Sequence, residues 1–505
     1  MSEPTSILTF YDLILRTAEL AAVAYFGSDA QQRAMIPIDD VNTFDKCKRI
    51  VNDGIRMFIA GAPKYGWLWK NRIQSVTFGS VETTGECDSA GDSTSLIDTE
   101  LQNVYDTDDE INGYYVYDLT QNIYAVITAY SAGTDAVPVG DITVAAWLNY
   151  DDASSSLTPA DGDSYAITDV KTVAGDKARY WLDQDFGRVA GKITWASNSN
   201  RGHTLQWGHE AEIRARREVT VSTGYPNIAA VRRYRNQRRW ELIVDPSPIA
   251  ADTIMFPYEL GFDELRMEGG ISNYGGTTYL VDDDRWEPSN YFNGWTITLL
   301  DGTGRGSYAT VTDYDSTEGS ITAFADGTDT GVTTKVTSTH ALSNGDVVTI
   351  SGTTSYDGTF VISGVISTTS FEITNAYVAD DATGTWKQRQ IEVADWLKSN
   401  GSAAGINPGT STAYMIEPAY NKHPAGLLFD DAILSACKAQ VEMQYEDVQG
   451  GYVQKFYDKD LPDAWTADGR TAPRKLGKLT RGGVRYAVDR LNVSYYNIDG
   501  DLVEA

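Results

Sequence analysis

The sequence predicts an α+β fold: a helical core built from an N-terminal hairpin and a C-terminal helix, several inserted antiparallel β modules, and an extended C-terminal tail. Three observations support this class. Apolar residues recur at helical spacing near both ends, over 42–60 and 424–450. Between them the period changes to two, in chain rich in Tyr, Thr, Gly and Asp. The β region also contains an internal repeat.

Residues 1–76 are predicted to form the N-terminal helical hairpin. Phe58 lies on the apolar face of its second helix, and Trp67 and Trp69 follow directly after the glycine and proline that end this helix. A helix this short cannot bury such side chains alone. We therefore expect these three aromatic residues to be core anchors that pack against the C-terminal helices, residues 419–469.

An internal repeat organises the β region. The motif Ile-x-Val-Ala-x-Trp-Leu occurs at 142–148 and at 391–397, and in both copies a proline, a tyrosine and an isoleucine follow at identical spacing. This predicts two copies of one module, with Trp147 and Trp396 as core anchors in preference to sugar-binding platforms. The two copies are predicted to span residues 77–170 and 272–418.

The repeat extends upstream with looser spacing. Ser95–Asp98 and Asn112–Gly113 of the first copy parallel Tyr279–Asp282 and Asn293–Gly294 of the second. The second copy is longer, and its residues 333–387 are predicted to form a small inserted all-β domain, because domain insertion is tolerated at exposed loop tips.

A central β segment, residues 171–271, joins the two modules. Part of it reads as a hairpin with Asn236 and Gln237 at its turn, flanked by arginines. These arginines are candidates for contact with a neighbouring subunit or with DNA, and the net charge of −29 favours the neighbouring subunit. The candidate residues are Arg232, Arg233, Arg235, Arg238 and Arg239.

Composition excludes several classes of protein. A pI near 4.4 argues against a basic nucleic-acid-binding surface, and no apolar run is long enough to span a membrane. Three widely spaced cysteines predict neither a disulfide framework nor a zinc site. Asp313 and Asp315 begin like a calcium loop, but Glu318 and Phe324 occupy positions that require glycine and an acid, so a solvated turn is expected. We expect no catalytic residues, no bound metal and no cofactor, and hence no enzyme.

The parts of the chain outside the β modules resemble the head-to-tail adaptor (connector, tail-tube-type gatekeeper) proteins of tailed bacteriophages. The resemblance rests on Val51–Phe58 with the following Trp-x-Trp, on the strand segment from Gly224 to Tyr258, and on the Ala-rich helix from Phe429 to Gly450. It covers about half of the chain. The chain departs from the family in the β modules, which small adaptors lack.

The resemblance implies a structural virion protein of the head–tail neck, assembled in the host cytoplasm as a twelve-fold ring. Such a ring joins the portal protein to a tail tube or nozzle protein, and DNA passes through it without specific binding. The β modules would face outward, with tail fibres as a further candidate partner. The tail, residues 470–505, would dock on the portal. Its docking residues would be Arg474, Lys475, Lys478, Arg481, Arg485 and Arg490.

Two other classes stay open from the sequence. One is a receptor- or carbohydrate-binding fibre or decoration protein of the virion surface, whose β modules would be its working part. The other is a glycan-degrading spike enzyme. The short stacked repeats that are typical of fibres and spikes do not occur in this sequence.

Overall fold

The computed structural model divides into two compact units, Met1–Leu68 with Arg266–Ala505, and Trp69–Leu265. The described residues are 8–26, 34–134, 137–150, 155, 157–196, 205–219, 221–234, 239–302, 304–379, 384–398, 400–403, 405–445 and 450–471.

Two helices begin the chain, α1 (Phe10–Leu20) and α2 (Val41–Ala60). Thr9 caps α1 in a reciprocal capping box with Asp12. Asp40 caps α2 by accepting hydrogen bonds from two backbone N–H groups of its first turn, and α2 ends at the predicted glycine.

The second unit contains the first β module as one antiparallel sheet of eight strands. Its order is β2-β9-β5-β6-β7-β4-β3, and β8 pairs with β6. The strands from β1 onward are β1 (Asn71–Thr77), β2 (Glu82–Glu86), β3 (Ser89–Asp92), β4 (Ser95–Ile97), β5 (Tyr115–Asp118), β6 (Ile123–Thr134), β7 (Val137–Val144), β8 (Leu148–Asn149) and β9 (Ser164–Thr168).

The central segment adds short sheets and a helix to the same unit. The predicted arginine hairpin is present as β15 and β16, but the arginines upstream of it lie on a helix, α3 (Glu210–Val219). The strands are β10 (Arg179–Trp181), β11 (Phe186–Val189), β12 (Thr194–Trp195), β13 (Gln206–Trp207), β14 (Thr223–Gly224), β15 (Ile228–Arg233), β16 (Trp240–Asp245), β17 (Ser247–Pro248) and β18 (Thr253–Leu260).

The second module belongs to the first unit and repeats the strand order of the first, β19-β30-β22-β23-β29, with β21 pairing β29 and β20. The strands are β19 (Glu268–Ile271), β20 (Tyr274–Gly275), β21 (Tyr279–Val281), β22 (Thr296–Leu299), β23 (Tyr308–Ser320), β24 (Ala323–Asp326), β25 (Thr334–Thr337), β26 (Val347–Ser351), β27 (Gly358–Ser367), β28 (Ser370–Ile373), β29 (Thr385–Val393) and β30 (Ala413–Glu417).

The register of the two modules matches as well as their strand order. Leu96 pairs with Ile142 in the first, and Leu280 pairs with Ile391 in the second. A bulge interrupts β6 before Tyr130 and β23 at the equivalent place. Strands β24 to β28 lie between β23 and β29 in the chain. The equivalent strands of the first module, β6 and β7, form a hairpin, so the inserted domain takes the place of that hairpin's turn. Its first strand, β24, begins before residue 333, where the domain was predicted to start.

The chain ends in helices α4 (Asp430–Gln444), α5 (Gly451–Lys455) and α6 (Leu461–Thr471), with a π-helical turn at Phe456–Asp460. Short 3-10 turns occur at Leu68–Lys70, Thr99–Asn103 and Leu427–Phe429. Helices α1, α2, α4, α5 and α6 are called the terminal helix cluster below.

The predicted α+β class with a helical core is wrong. Strands take up 37% of the described residues and helices 21%. The physical reason is where apolar surface is buried: each module and the inserted domain has its own core between strands, centred on Trp147, Trp396 and Trp386. The chain is therefore a mainly antiparallel β protein, and the terminal helices are its smaller part.

Candidate functional site

The terminal helix cluster brings the two ends of the described chain together. Phe58 of α2 stacks on Trp67 with ring centroids 4.8 Å apart, and both rings lie 5.8 Å from the ring of Phe429. The indole N–H of Trp67 donates to the carbonyl of Ile59, and that of Trp465 donates to the carbonyl of Gly61. Aromatic residues from near the two ends of the described chain thus form one cluster.

Helices α2 and α4 approach closely because Gly54 has no side chain. A Cβ placed on Gly54 would lie 2.7 Å from the Cα of Cys437, which is shorter than real contacts allow. Burial raises the pKa of the Cys437 thiol to about 12, so this cysteine is a packing residue and not a nucleophile.

A buried His–Asp pair fixes the start of α4. His423 Nε2 lies 2.8 Å from Asp430 Oδ1, and the backbone N–H of Leu8 donates to the other oxygen of Asp430 at 2.9 Å. Burial lowers the pKa of His423, while the nearby carboxylate opposes this shift. The pair ties the N-terminal segment to the first turn of α4, where the helix dipole favours a carboxylate.

An ionic network connects α2 to the second module within the first unit. Lys48 Nζ donates to both oxygens of Glu268 at 3.0 Å, and Arg285 lies 3.8 Å from the same carboxylate. Arg285 is 5% exposed and also faces Asp282 at 3.6 Å and Glu287 at 3.3 Å. Burial raises the pKa of Glu268, and the two cations oppose the rise. Breaking a buried network of this kind is costly, so it holds the helices on the sheet.

Each β module contains one buried Tyr–Asp hydrogen bond at the same place. The hydroxyl of Tyr165 donates to Asp98 at 2.5 Å, and that of Tyr414 donates to Asp282 at 2.5 Å. In both modules a glycine of the neighbouring strand lies against the pair. In the first module this is Gly85, and a side chain there would meet the tyrosine oxygen. The bond is a feature of the repeated fold.

The described arginines of the predicted contact set form ion pairs and ring contacts within their own unit. Arg232 forms ion pairs with Glu241, which is fully buried, and with Glu210 at 3.2 Å. Arg239 stacks on Trp181, with its guanidinium 4.4 Å from the ring centroid.

Arg233 lies 5.1 Å from the Trp240 ring and lines a cavity of about 220 Å³ with Gln184 and Phe262. Arg235 and Arg238 lie outside the described residues. Contact with DNA or with another subunit by these five arginines stays a prediction.

The other predicted site residues fall in two groups. Trp147 and Trp396 are 1% exposed, and their indole N–H groups donate to the carbonyls of Asp92 and Gly276, so neither ring offers a platform for a sugar. Trp69 is half-buried in the 3-10 turn that follows Trp67. The basic residues of the tail, from Arg474 to Arg490, lie outside the described residues.

The acidic stretch that begins like a calcium loop is part of a strand. Asp313 and Asp315 belong to β23 and pair with Glu392 and Gln390 of β29. Burial, followed by neighbouring carboxylates, raises the pKa of Asp315 to about 6. In the described part of the chain, no group of three or more His, Cys, Asp or Glu side chains is placed to hold a metal ion, and no helix is long and apolar enough to cross a membrane.

Sequence reasoning missed the His423–Asp430 pair and the carboxyl pair Asp118–Asp163. The amide of Gln121 donates to Asp163 at 3.0 Å while its backbone N–H donates to Asp118 at 2.8 Å, so one residue holds both acids. Burial raises the pKa of Asp118 to about 6, and the charge of Asp163 adds to the rise. Neither pair has a spacing that marks it in the sequence, because the partners meet only through the fold.

No protein-family model matches the chain, and neither the curated proteins nor the solved structures contain a significant match.

Proposed function

We propose that this chain is a structural virion protein, a head-to-tail adaptor that assembles as a ring between the portal and the tail of a bacteriophage. The observation that carries the proposal is the terminal helix cluster, in which Phe58 and Trp67 pack on Phe429. The cluster forms a small helical frame from both ends of the described chain, and the β modules lie between these ends in the sequence. This arrangement suits a protein whose assembly contacts belong to the frame.

Charge supports the same proposal. A net charge of −29, repeated in every subunit around a lumen, would repel the phosphates of passing DNA and so prevent it from binding. The basic segment that follows Thr471 in sequence has the opposite sign and would pair with acidic groups on a portal. The proposed partners are the portal protein, a tail tube or nozzle protein, and tail fibres on the β modules.

The proposal assigns no catalytic activity to the chain, because of how the buried sites described above are arranged. The buried carboxylates are held by tyrosine, arginine or backbone donors, as in Tyr414–Asp282. We propose that these groups stabilise the modules and take no part in a reaction.

Native mass spectrometry tests the proposal directly. The full chain, a chain that ends at Thr471, and a full chain with the six tail cations changed to glutamine are each measured alone and with the portal protein of the same phage. Arg56→Gln, which removes an exposed arginine of α2 that contacts Asp53 of the same helix, is the matched control for loss of positive charge.

We expect the full chain and Arg56→Gln to be monomeric alone and to form a ring of about twelve subunits on the portal, as in the family that it resembles. The truncated and neutralised chains should stay monomeric with the portal, because the ion pairs of the tail are lost. A stable trimer that ignores the portal would contradict the adaptor function and favour a fibre or decoration protein.

A further inference from the structure

A groove opens where the second β module continues into the inserted domain. It consists of two adjoining cavities of about 400 Å³ and about 510 Å³, which share Gly319 and Ser320 at the end of β23. Cavities of this size are in the range that holds small-molecule ligands, roughly 300–1,000 Å³. All of its lining residues belong to one unit of the protein.

The floor of the groove is rigid. The indole of Trp386 is 2% exposed, and its Nε1–H donates to Ser338 Oγ at 2.7 Å. Gly319 lies directly against this ring, since a Cβ there would come within 2.7 Å of Nε1. The indole therefore occupies the space where a side chain on Gly319 would lie, and the hydrogen bond to Ser338 fixes the ring in place.

The larger cavity is lined by hydroxyl side chains and one glycine, without a charged residue. Its lining consists of Gly319, Ser320, Thr322, Thr337, Ser338, Thr339 and Thr369. The hydroxyls of Thr322, Ser338 and Thr369 already have partners, in the Thr337 carbonyl, Trp386 and Ser367. Those of Ser320, Thr337 and Thr339 make no hydrogen bond to any residue that the structure describes.

The three hydroxyls without a described partner, together with the threonines of the lining, define the ligand chemistry. Each hydroxyl both donates and accepts, and the methyl groups offer apolar contact. A charged ligand would find no counter-charge in this cavity and would lose hydration on entering it. A neutral ring with alternating hydroxyl and C–H surfaces satisfies both kinds of wall.

We propose that the groove of the inserted domain binds a neutral saccharide. Glu318 and Lys387 line the smaller, adjoining cavity with one charge of each sign. Glu318 is held by Arg389 at 2.9 Å and Lys387 by the carbonyl of Asp283 at 2.9 Å. The inference rests on the junction of the second module with the inserted domain and is independent of whether the chain forms a ring.

Saturation-transfer NMR on the full chain tests this inference. The probes are the methyl glycosides of glucose, galactose, mannose and N-acetylglucosamine, with dextran as a polymeric form of the same chemistry. Thr337→Val and Thr339→Val together remove two hydroxyls while preserving side-chain shape, and Ser320→Trp fills the cavity. Thr312→Val is the matched control, because Thr312 is an exposed threonine of the strand that contains Ser320 and lies outside the groove.

We expect at least one probe to receive saturation from the native chain and from Thr312→Val, with at least tenfold weaker binding by the double valine variant and none by Ser320→Trp. Signal from the monosaccharides would identify a site for a single ring, and signal from dextran alone a site that needs several rings. Either result supports the inference. Absence of signal from all five probes, or equal signal from Ser320→Trp, would overturn it.

Discussion

Replacing Tyr414 by phenylalanine removes one oxygen from the core of the second module and takes the hydroxyl donor away from Asp282 Oδ2, while the backbone N–H of Asp284 still donates to Oδ1. The hydrogen bond is 2.5 Å long, and Tyr414 is completely buried. A hydrogen bond to a charged group contributes about 1.5–3 kcal/mol. We therefore expect a loss of about 2 kcal/mol in the free energy of opening β30, which is about a 30-fold change in the opening equilibrium.

Hydrogen exchange measured by mass spectrometry reports this loss locally. Peptides from β30 and β19, which pair with each other, should exchange about 30-fold faster in Tyr414→Phe, while peptides from the first module should be unchanged. Tyr165→Phe should show the reverse pattern, because Tyr165 makes the equivalent bond to Asp98. The repeat thus supplies its own reciprocal control.

The sign of the pH dependence follows from Asp282. Burial raises its pKa, and the Tyr414 hydrogen bond lowers it, so the pKa of Asp282 rises further in Tyr414→Phe. The destabilisation is therefore largest at neutral pH and decreases as the pH falls and Asp282 becomes protonated. Tyr308→Phe, whose hydroxyl makes no hydrogen bond within the described chain, should leave exchange unchanged. If Tyr414→Phe behaves like Tyr308→Phe, the reasoning is refuted.

Three further predictions concern packing and buried charge. Gly54→Val should weaken the terminal helix cluster by about 1–3 kcal/mol in urea unfolding, since its side chain would overlap Cys437. Arg285→Met should cost about 3–5 kcal/mol in the same assay, because it removes the cation that faces the buried carboxylates of Asp282 and Glu287. The raised pKa of Asp118, about 6, means that the folded state binds its proton more tightly than the unfolded state, so Asp118 reduces stability as the pH rises from about 4 to about 7. Asp118→Asn should weaken this dependence, because it removes one titrating carboxyl from the pair with Asp163.

Matched variants separate these effects from general damage. Gly451→Ala places a methyl group in open space and should not weaken the terminal helix cluster. Arg188→Met removes an exposed partner of Glu259 and should cost far less than Arg285→Met, as expected for a surface ion pair. A pH profile of Asp118→Asn that parallels the native profile would show that the acid pair is not the source of the dependence.

The repeat could be found from sequence because its marks are local. Ile142 to Trp147 and Ile391 to Trp396 have identical spacing, and equal spacing along paired strands places equivalent residues in equivalent contacts. The position of Asp98 and Asp282 in the same upstream motif was also visible. Their hydrogen bonds to tyrosines were not, since each bond joins residues far apart in sequence.

The fold class was mispredicted because helical periodicity is a stronger pattern than strand periodicity. The stripe that contains Phe58 is unmistakable over 42–60, and it does pack on the helix after Phe429. Strand stretches of Thr, Tyr, Gly and Asp show little contrast between their two faces, yet they bury most of the large side chains, including Tyr117 and Tyr314. The distinct helical periodicity therefore decided the predicted class, although the weaker strand pattern covers more of the chain.

The inserted domain shows how a repeated module gains a new surface without a change in its core. In the first module β6 and β7 form a hairpin, whereas β23 and β29 stay paired as far as Ser320 and Thr385 and then diverge. Strand β26 pairs with the same end of β29, so the added strands extend the sheet and are not attached by a flexible linker. The junction is the place where Gly319 and Trp386 meet. The groove proposed to bind a saccharide therefore lies on a rigid sheet, and its ligand preference can change through the threonines of its wall while the module core stays intact.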